Sequence, residues 1–460
     1  MKNLFEMKKL YNTYISLFLV VLFSCENTPF DELNNDPTAL TEVDLNLMLP
    51  EVLSSSMFNE GGGGPRAIGI IMQQFIGLDA QQIDYTQYIL GTDLLNNYWR
   101  GGLYAGVLRS CDVMIKQAQQ EDAPFYEAVG KVVMANQYGI STSYFGSMPF
   151  TEALQGAEVF QPKYDTQEAV YMGVIQMLDE AITILSGEPI GYAGGDLIYD
   201  GNVKRWLKTA KALKARFLMH QTKRNSSNYS AALTELGGAY TSIEEQSDFQ
   251  FETAQISNYS LAKFGIERPS TLGIDSRFAE MMKGDPRRPF YMFQDGDGVW
   301  QYFGSDANLP YSKSDAKIPM ISFAEVKFME AEALLETGAD PAMALKEAIV
   351  ASFDQCGADG GEAYADAVIT EGIDKETIIV EAYKAYYGTA FHETWVNYRR
   401  TGFPVLEANP NGSNGFNPSG VVPKRFLYPD SEFQTNMENV TAAQKAQDGA
   451  LLDVALWAFE

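Results

Sequence analysis

The sequence predicts an all-α protein built from helical hairpins, with long irregular loops and few short strands. Three observations predict it. Apolar residues recur with a helical period, the periodic runs carry capping residues at their starts and glycine or proline at their ends, and the polar stretches between them are too long for tight turns. With 46% hydrophobic residues among 460, the chain has ample material for a core.

The elements follow in order. Lys8 and Lys9 precede the apolar run from Ile15 to Phe23, which is too short to cross a bilayer because a spanning helix needs about 20 apolar residues. Leu22-Phe23-Ser24-Cys25 ends that run like a bacterial lipobox; Leu22 and Ser24 fit well and Phe23 poorly. Residues 1–24 therefore read as a lipoprotein signal peptide and Cys25 as the acylated N-terminus of an anchored chain. The polar, proline-punctuated stretch 25–40 reads as a lipidated tether, and 41–460 as a single domain. An ordinary signal peptide with an incidental cysteine is the alternative.

Gly61 to Gly64 lacks the Gly-Lys-Ser/Thr of a phosphate loop and reads as a turn before a helix. From Asp165, the residues Tyr171, Val174, Leu178, Ile182 and Leu185 share one helix face, with Asp165 or Thr166 to cap it and Gly187 and Pro189 to stop it. After Asn202, a face of Val203, Trp206, Ala210, Leu213 and Phe217 opposes Lys204, Lys208, Lys211 and Lys214. Ser322 and Glu325 form a capping-box pair ahead of Val326, Met329 and Leu334. Lys375 to Arg400 reads as one long helical segment ended by Gly402 and Pro404. Three stretches have no period, namely 247–268, 284–319 and 407–429. Loops beyond about 15 residues tend to be functional, so binding residues are sought there.

Sixty acidic residues against 34 basic ones give a formal charge of −26. Such a surface repels phosphate backbones and anionic membranes, which argues against nucleic acid and leaves the lipid on Cys25 as the means of attachment. Only His220 and His392 are present, and His392-Glu393-Thr394-Trp395-Val396 lacks the second histidine of a zincin, so no metal site is expected. Asp295 and Asp297 look like the start of a calcium loop, but Val299 stands where the next oxygen ligand belongs, so a turn is expected. Cys111 and Cys356 are expected as buried free thiols, although spacing does not decide whether they meet. There is no Gly-x-Ser-x-Gly and no Cys-His pattern, and so many acids make any glycosidase pair arguable and none convincing. The reading is non-catalytic, with no cofactor.

Seven stretches in a fixed order carry a resemblance: Phe30 to Thr38 (FDELNNDPT), Gly146 to Leu154 (GSMPFTEAL), Asp200 to Met219, Gly284 to Tyr291 (GDPRRPFY), Pro319 to Leu334, Trp395 to Pro404 (WVNYRRTGFP) and Arg425 to Asn436. On a lipobox chain they resemble the SusD/RagB family of outer-membrane nutrient-binding lipoproteins of Bacteroidota. The resemblance implies a tetratricopeptide-like superhelical scaffold with loops carrying the ligand site. It also implies a cell-surface location, a SusC-like TonB-dependent transporter as partner, and an oligosaccharide or, in the RagB manner, a peptide as ligand. A glycan-cleaving enzyme and a purely structural assembly factor are the competing readings. The stretches themselves read as scaffold: Asp285-Pro286-Arg287 as a turn pinned by an Arg-carboxylate pair, and Arg399, Arg400 and Glu393 as a similar pairing.

A sugar binder needs flat aromatic faces against C–H surfaces and planar polar groups for hydroxyls. Trp300, Tyr302 and Tyr311 in the 295–314 loop meet that need, as do Tyr85, Tyr88, Asn96, Asn97, Tyr98 and Trp99.

Overall fold

The computed structural model describes residues 43–460 except 188–189, 192, 255–257 and 305–308, so the leader, Cys25 and the tether lie outside the described residues. The helices are α1 (Leu45–Glu60), α2 (Gly63–Ile71), α3 (Gln81–Thr86), α4 (Arg109–Gln120), α5 (Pro124–Phe145), α6 (Gln167–Leu185), α7 (Val203–Met219), α8 (Asn228–Leu236) and α9 (Ser260–Glu267). After them come α10 (Ser276–Met281), α11 (Arg288–Tyr291), α12 (Phe323–Glu336), α13 (Ala342–Cys356), α14 (Gly361–Glu371), α15 (Lys375–Ala385), α16 (Phe391–Thr401), α17 (Asp430–Thr435) and α18 (Met437–Ala446). A wide π-helical segment, Asn97–Leu108, runs into α4 and is broken at Gly106. Three two-stranded antiparallel ribbons pair β1 (Phe75–Gly77) with β3 (Leu272–Ile274), β2 (Asp248–Gln250) with β6 (Lys317–Pro319), and β4 (Phe293–Gln294) with β5 (Trp300–Gln301).

Successive helices pack as hairpins, α4 on α5, α5 on α6, α6 on α7, α7 on α8, then α12 on α13 and α13 on α14. This is the expected all-α hairpin scaffold with few short strands. Helix α5 lies at its centre and is buried on nearly every side. Caps decide several starts: Thr166 accepts from Ala169 N at 3.2 Å, Asn202 from Arg205 N at 3.2 Å and Ser322 from Glu325 N at 3.0 Å. The apolar face of α7 buries Trp206, Leu213 and Phe217 completely, and Trp206 Nε1 donates to Asp196 at 2.7 Å.

Four local expectations need correction. The capping box at Ser322 is only half made, because the Glu325 carboxylate turns into the core to bind Arg216 at 2.6 and 2.8 Å. Lys375 to Arg400 is two helices, broken at Gly388 with φ +77°, where a side chain would come within 2.5 Å of Tyr311 Cβ. Arg399, Arg400 and Glu393 do not pair among themselves: Arg400 takes Glu332 at 2.6 Å, Glu393 takes His220 at 2.9 Å, and Arg399 donates to backbone carbonyls including Trp395 O at 3.1 Å. The stretch 247–268 contains α9, a short uncapped helix held by burial of Leu261 and Ala262 and by Gly265 lying against Phe303. The Asp285-Arg287 turn is made as expected, at 2.7 and 3.0 Å, and Glu381 joins it at 2.8 Å. Cys111 and Cys356 are buried and free.

Candidate functional site

Where the chain turns from α1 into α2 a cleft of about 550 Å³ opens. The end of α1 contributes Ser55, Phe58 and Asn59, the glycine run contributes Gly62, Gly63 and Gly64, and Arg66 follows in the first turn of α2. Gln81 and Tyr85 of α3 face them, and the π-helical segment closes the far wall with Asn97, Tyr98, Gly101 and Gly102. The expected turn before a helix is present, but it is also a rim. At Gly102 a Cβ would fall 2.2 Å from Asn59 Oδ1, so a residue without a side chain lets the segment approach this closely. Gly101 instead faces open space.

The floor rests on a buried polar network. Asn59 Nδ2 donates to Gln137 Oε1 at 2.8 Å, and Gln137 Nε2 donates to Glu60 at 2.7 Å and to Ser56 at 3.0 Å. Asn136 bridges onward, donating to Glu60 at 2.8 Å and accepting from Arg216 Nη1 at 3.1 Å. From there the chain of contacts passes through Glu325 and Glu393 to His220 and Tyr171. Burial, only partly offset by Arg216, pushes the Glu60 carboxyl up to about 7. Such a network holds Asn59 in one orientation at the cleft floor.

Electrostatically the cleft is the reverse of the whole chain. Among the described residues lining it, Arg66 is the sole charged one, in a protein with 60 acidic residues. Its guanidinium lies 3.8 Å from the Phe264 ring centroid, and its Nε is enclosed without a hydrogen-bond partner. Burial lowers its pKa, and Tyr302 and Tyr85 lie close enough to oppose that.

The residues singled out in the sequence separate into groups. Tyr85 stands half-buried on the cleft wall with Asn97 and Tyr98 beside it. Asn96 faces away, its Oδ1 accepting from Ser431 N at 3.1 Å. Trp99 turns into the core on the other side of the π-helical segment, where Nε1 donates to Glu432 at 2.9 Å and its ring stacks on Tyr164. Tyr88 is buried and accepts from Gln73 Nε2 at 2.9 Å. Tyr302 packs edge-on against Phe75, and Tyr311 packs on Tyr291 and Tyr387, both buried. These four rings spend their faces on the core. Trp300 in β5 keeps partial exposure under the Arg288 guanidinium, 4.3 Å above its ring. The sequence alone does not point to Arg66, Phe58, Asn59 and Gln81; the nearest signal is the glycine run that ends at Gly64, separated from Arg66 by Pro65.

Asp295 closes the β4–β5 turn as expected, accepting from Asp297 N at 3.0 Å and Val299 N at 2.9 Å. Among the described residues no group of three or more His, Cys, Asp or Glu could hold a metal ion, and no helix is long and apolar enough to cross a membrane.

The model of one protein family, SusD-like, described as starch-binding associating with outer membrane, matches residues 37–429. No curated protein matches the chain. Among solved structures, a SusD/RagB family protein from Bacteroides thetaiotaomicron aligns with a TM-score of 0.77 at 22% identity, covering 91% of this chain and 99% of its own. A chitin-binding protein aligns with a TM-score of 0.77 at 21% identity, covering 91% and 100%. A SusD homolog from Bacteroides uniformis gives 0.75 at 19% identity, covering 90% and 99%. At these identities the likeness is one of fold.

Proposed function

We propose a function from one premise: the chain belongs to the SusD-like family, starch-binding proteins that associate with the outer membrane. On it, the protein is a cell-surface lipoprotein, anchored through Cys25, that captures an oligosaccharide unchanged and passes it to a SusC-like TonB-dependent transporter. The observation carrying this reading is the composition of the cleft. Tyr85, Tyr98 and Phe58 supply rings, Asn59, Asn97 and Gln81 supply planar amides, and among the described residues none that lines the cleft is a carboxylic acid, histidine or cysteine. Amides and aromatics suit sugar hydroxyls and C–H faces. Glycoside hydrolysis needs a pair of carboxyl groups flanking the scissile bond, and this lining offers none. Trp300, half-exposed beside Arg288, is offered as a further sugar contact.

The test is calorimetric titration of the full-length chain in detergent with a panel of oligosaccharides and peptides, followed by chromatography of the recovered ligand. Saturable binding of an intact oligosaccharide is expected, together with co-purification of a large outer-membrane barrel from native membranes. Sustained product formation that one Asp or Glu substitution abolishes would overturn the reading in favour of an enzyme. Mass spectrometry of the mature N-terminus checks acylation at Cys25.

A further inference from the structure

Resting on the reading of this cleft as the ligand site, we infer that the oligosaccharide it takes is anionic, carrying a carboxylate or sulfate group that seats against Arg66. The buried guanidinium groups elsewhere in this protein find partners. Arg216 is paired with Glu325, Arg287 with Asp285 and Glu381, and Arg400 with Glu332. Buried Arg399 and Arg425, which lack carboxylate partners, donate to main-chain carbonyls instead. Burying a cation is costly unless it is paired or hydrogen-bonded.

Arg66, which is half-buried, has neither kind of partner among the described residues. Among the described residues no carboxylate lies within 4.0 Å of it and its side chain makes no hydrogen bond, although Nε is fully enclosed and the group lies against Phe264. An arginine presents five N–H donors in a fixed fork, which matches a carboxylate or sulfate better than a neutral hydroxyl. The surroundings repeat the preference. Helix α2 begins at this rim with no side-chain cap, and Gly62, Gly63 and Gly64 place no side chain between its first amides and the cleft. Backbone amides at a helix start favour negative charge. Arg66 Nη2 lies near the same rim, 3.8 Å from where a Cβ of Gly63 would stand. Arg268 is close enough to add to the positive potential. The chain's net charge of −26 would steer an anion away at long range, yet that field is screened beyond about 10 Å at 0.1 M salt, whereas contact inside the cleft is not. Local pairing therefore decides the class of ligand.

The experiment measures binding of the full-length chain in detergent to three sets of probes: neutral oligosaccharides, oligogalacturonates beside their methyl esters, and sulfated galactose oligosaccharides. Acidic probes should bind on the order of ten- to a hundredfold more tightly than neutral ones, the range of a charge-assisted hydrogen bond. That preference should weaken with added salt. Arg66→Gln should erase the discrimination between acidic and neutral probes, and Arg66→Lys should retain part of it. The uronate and sulfate arms say which anion is meant, and tighter binding by either supports the inference. Neutral probes bound as tightly as acidic ones, or a preference that survives Arg66→Gln, would overturn it while leaving the capture reading intact. A chain that binds no oligosaccharide would remove that reading and this one together. Unchanged thermal unfolding of the Arg66→Gln chain separates lost recognition from lost folding, and Arg66→Lys supplies the second variant if it unfolds.

Discussion

Replacing Arg216 by alanine tests the reasoning about the network beneath the cleft. Arg216 is fully buried on α7 and holds Glu325 through two bonds of 2.6 and 2.8 Å, Asn136 Oδ1 at 3.1 Å and Met320 O at 3.0 Å. Arg216→Ala leaves a carboxylate that is 2% exposed with no cation bonded to it, and orphans two carbonyl oxygens. Breaking one side of a buried pair costs about 3–5 kcal/mol, a large share of a typical 5–15 kcal/mol total. The pH dependence carries the sharper test. Burial raises the Glu325 pKa and Arg216 lowers it, so the variant's folded carboxyl rises further above its unfolded value. A folded pKa above the unfolded one means the native state holds a proton the unfolded chain has released. Stability in the variant is then greatest below about pH 4.3, the ordinary glutamate value, and is lost as pH rises through the folded pKa. Urea denaturation followed by far-ultraviolet circular dichroism at pH 5 and pH 8 should show the deficit widening at pH 8. The double change Arg216→Met with Glu325→Met should recover most of the loss, because apolar replacement of a whole buried pair is near neutral. A deficit under about 1 kcal/mol, one equal at both pH values, or a double variant no better than the single would refute the argument.

Three further outcomes are expected. Gly101→Phe places a ring into open space in the cleft, so oligosaccharide affinity should drop on the order of tenfold or more by calorimetry while thermal unfolding stays where it was. Burial pushes His392 down to about 3, so between its unfolded value near 6.5 and that pKa the unfolded chain binds a proton the folded chain does not, and stability falls as pH falls. His392→Asn should flatten that acid limb, visible as a lower pH midpoint in an acid-unfolding titration. Ser322→Ala removes the acceptor for Glu325 N and should cost about 1 kcal/mol in denaturant unfolding.

The candidate site divides along the same line as the fold. Tyr85, Asn97 and Tyr98 were legible because aromatic and amide residues clustered ahead of a helical run, and they do share the cleft wall. Trp99, Tyr88, Tyr302 and Tyr311 carry the same chemistry in sequence, yet each turns into the core. Residue type tells what a ring can do, and only its neighbours decide whether a face is left open. Arg66 was missed for the opposite reason. One arginine among 34 basic residues carries no signal until the structure leaves it, among the described residues, without a carboxylate.

By itself the sequence determined what short-range forces decide: the period of α6, α7 and α12, a cap for α6 at Asp165 or Thr166, of which the structure takes Thr166, the cap of α12 at Ser322, and the turns at Asp285 and Asp295. Each depends on groups a few residues apart, so the chain around them is information enough. Tertiary structure alone decided the break at Gly388, where Tyr311 arrives from a distant loop, and the pairing of Arg216 with Glu325 and of Arg400 with Glu332. It alone decided, too, that a glycine turn, a short helix and a π-helical segment enclose a cleft whose one cation is unpaired among the described residues. Those contacts join residues far apart in the chain, and which of many equivalent partners meet is set by packing the whole core at once.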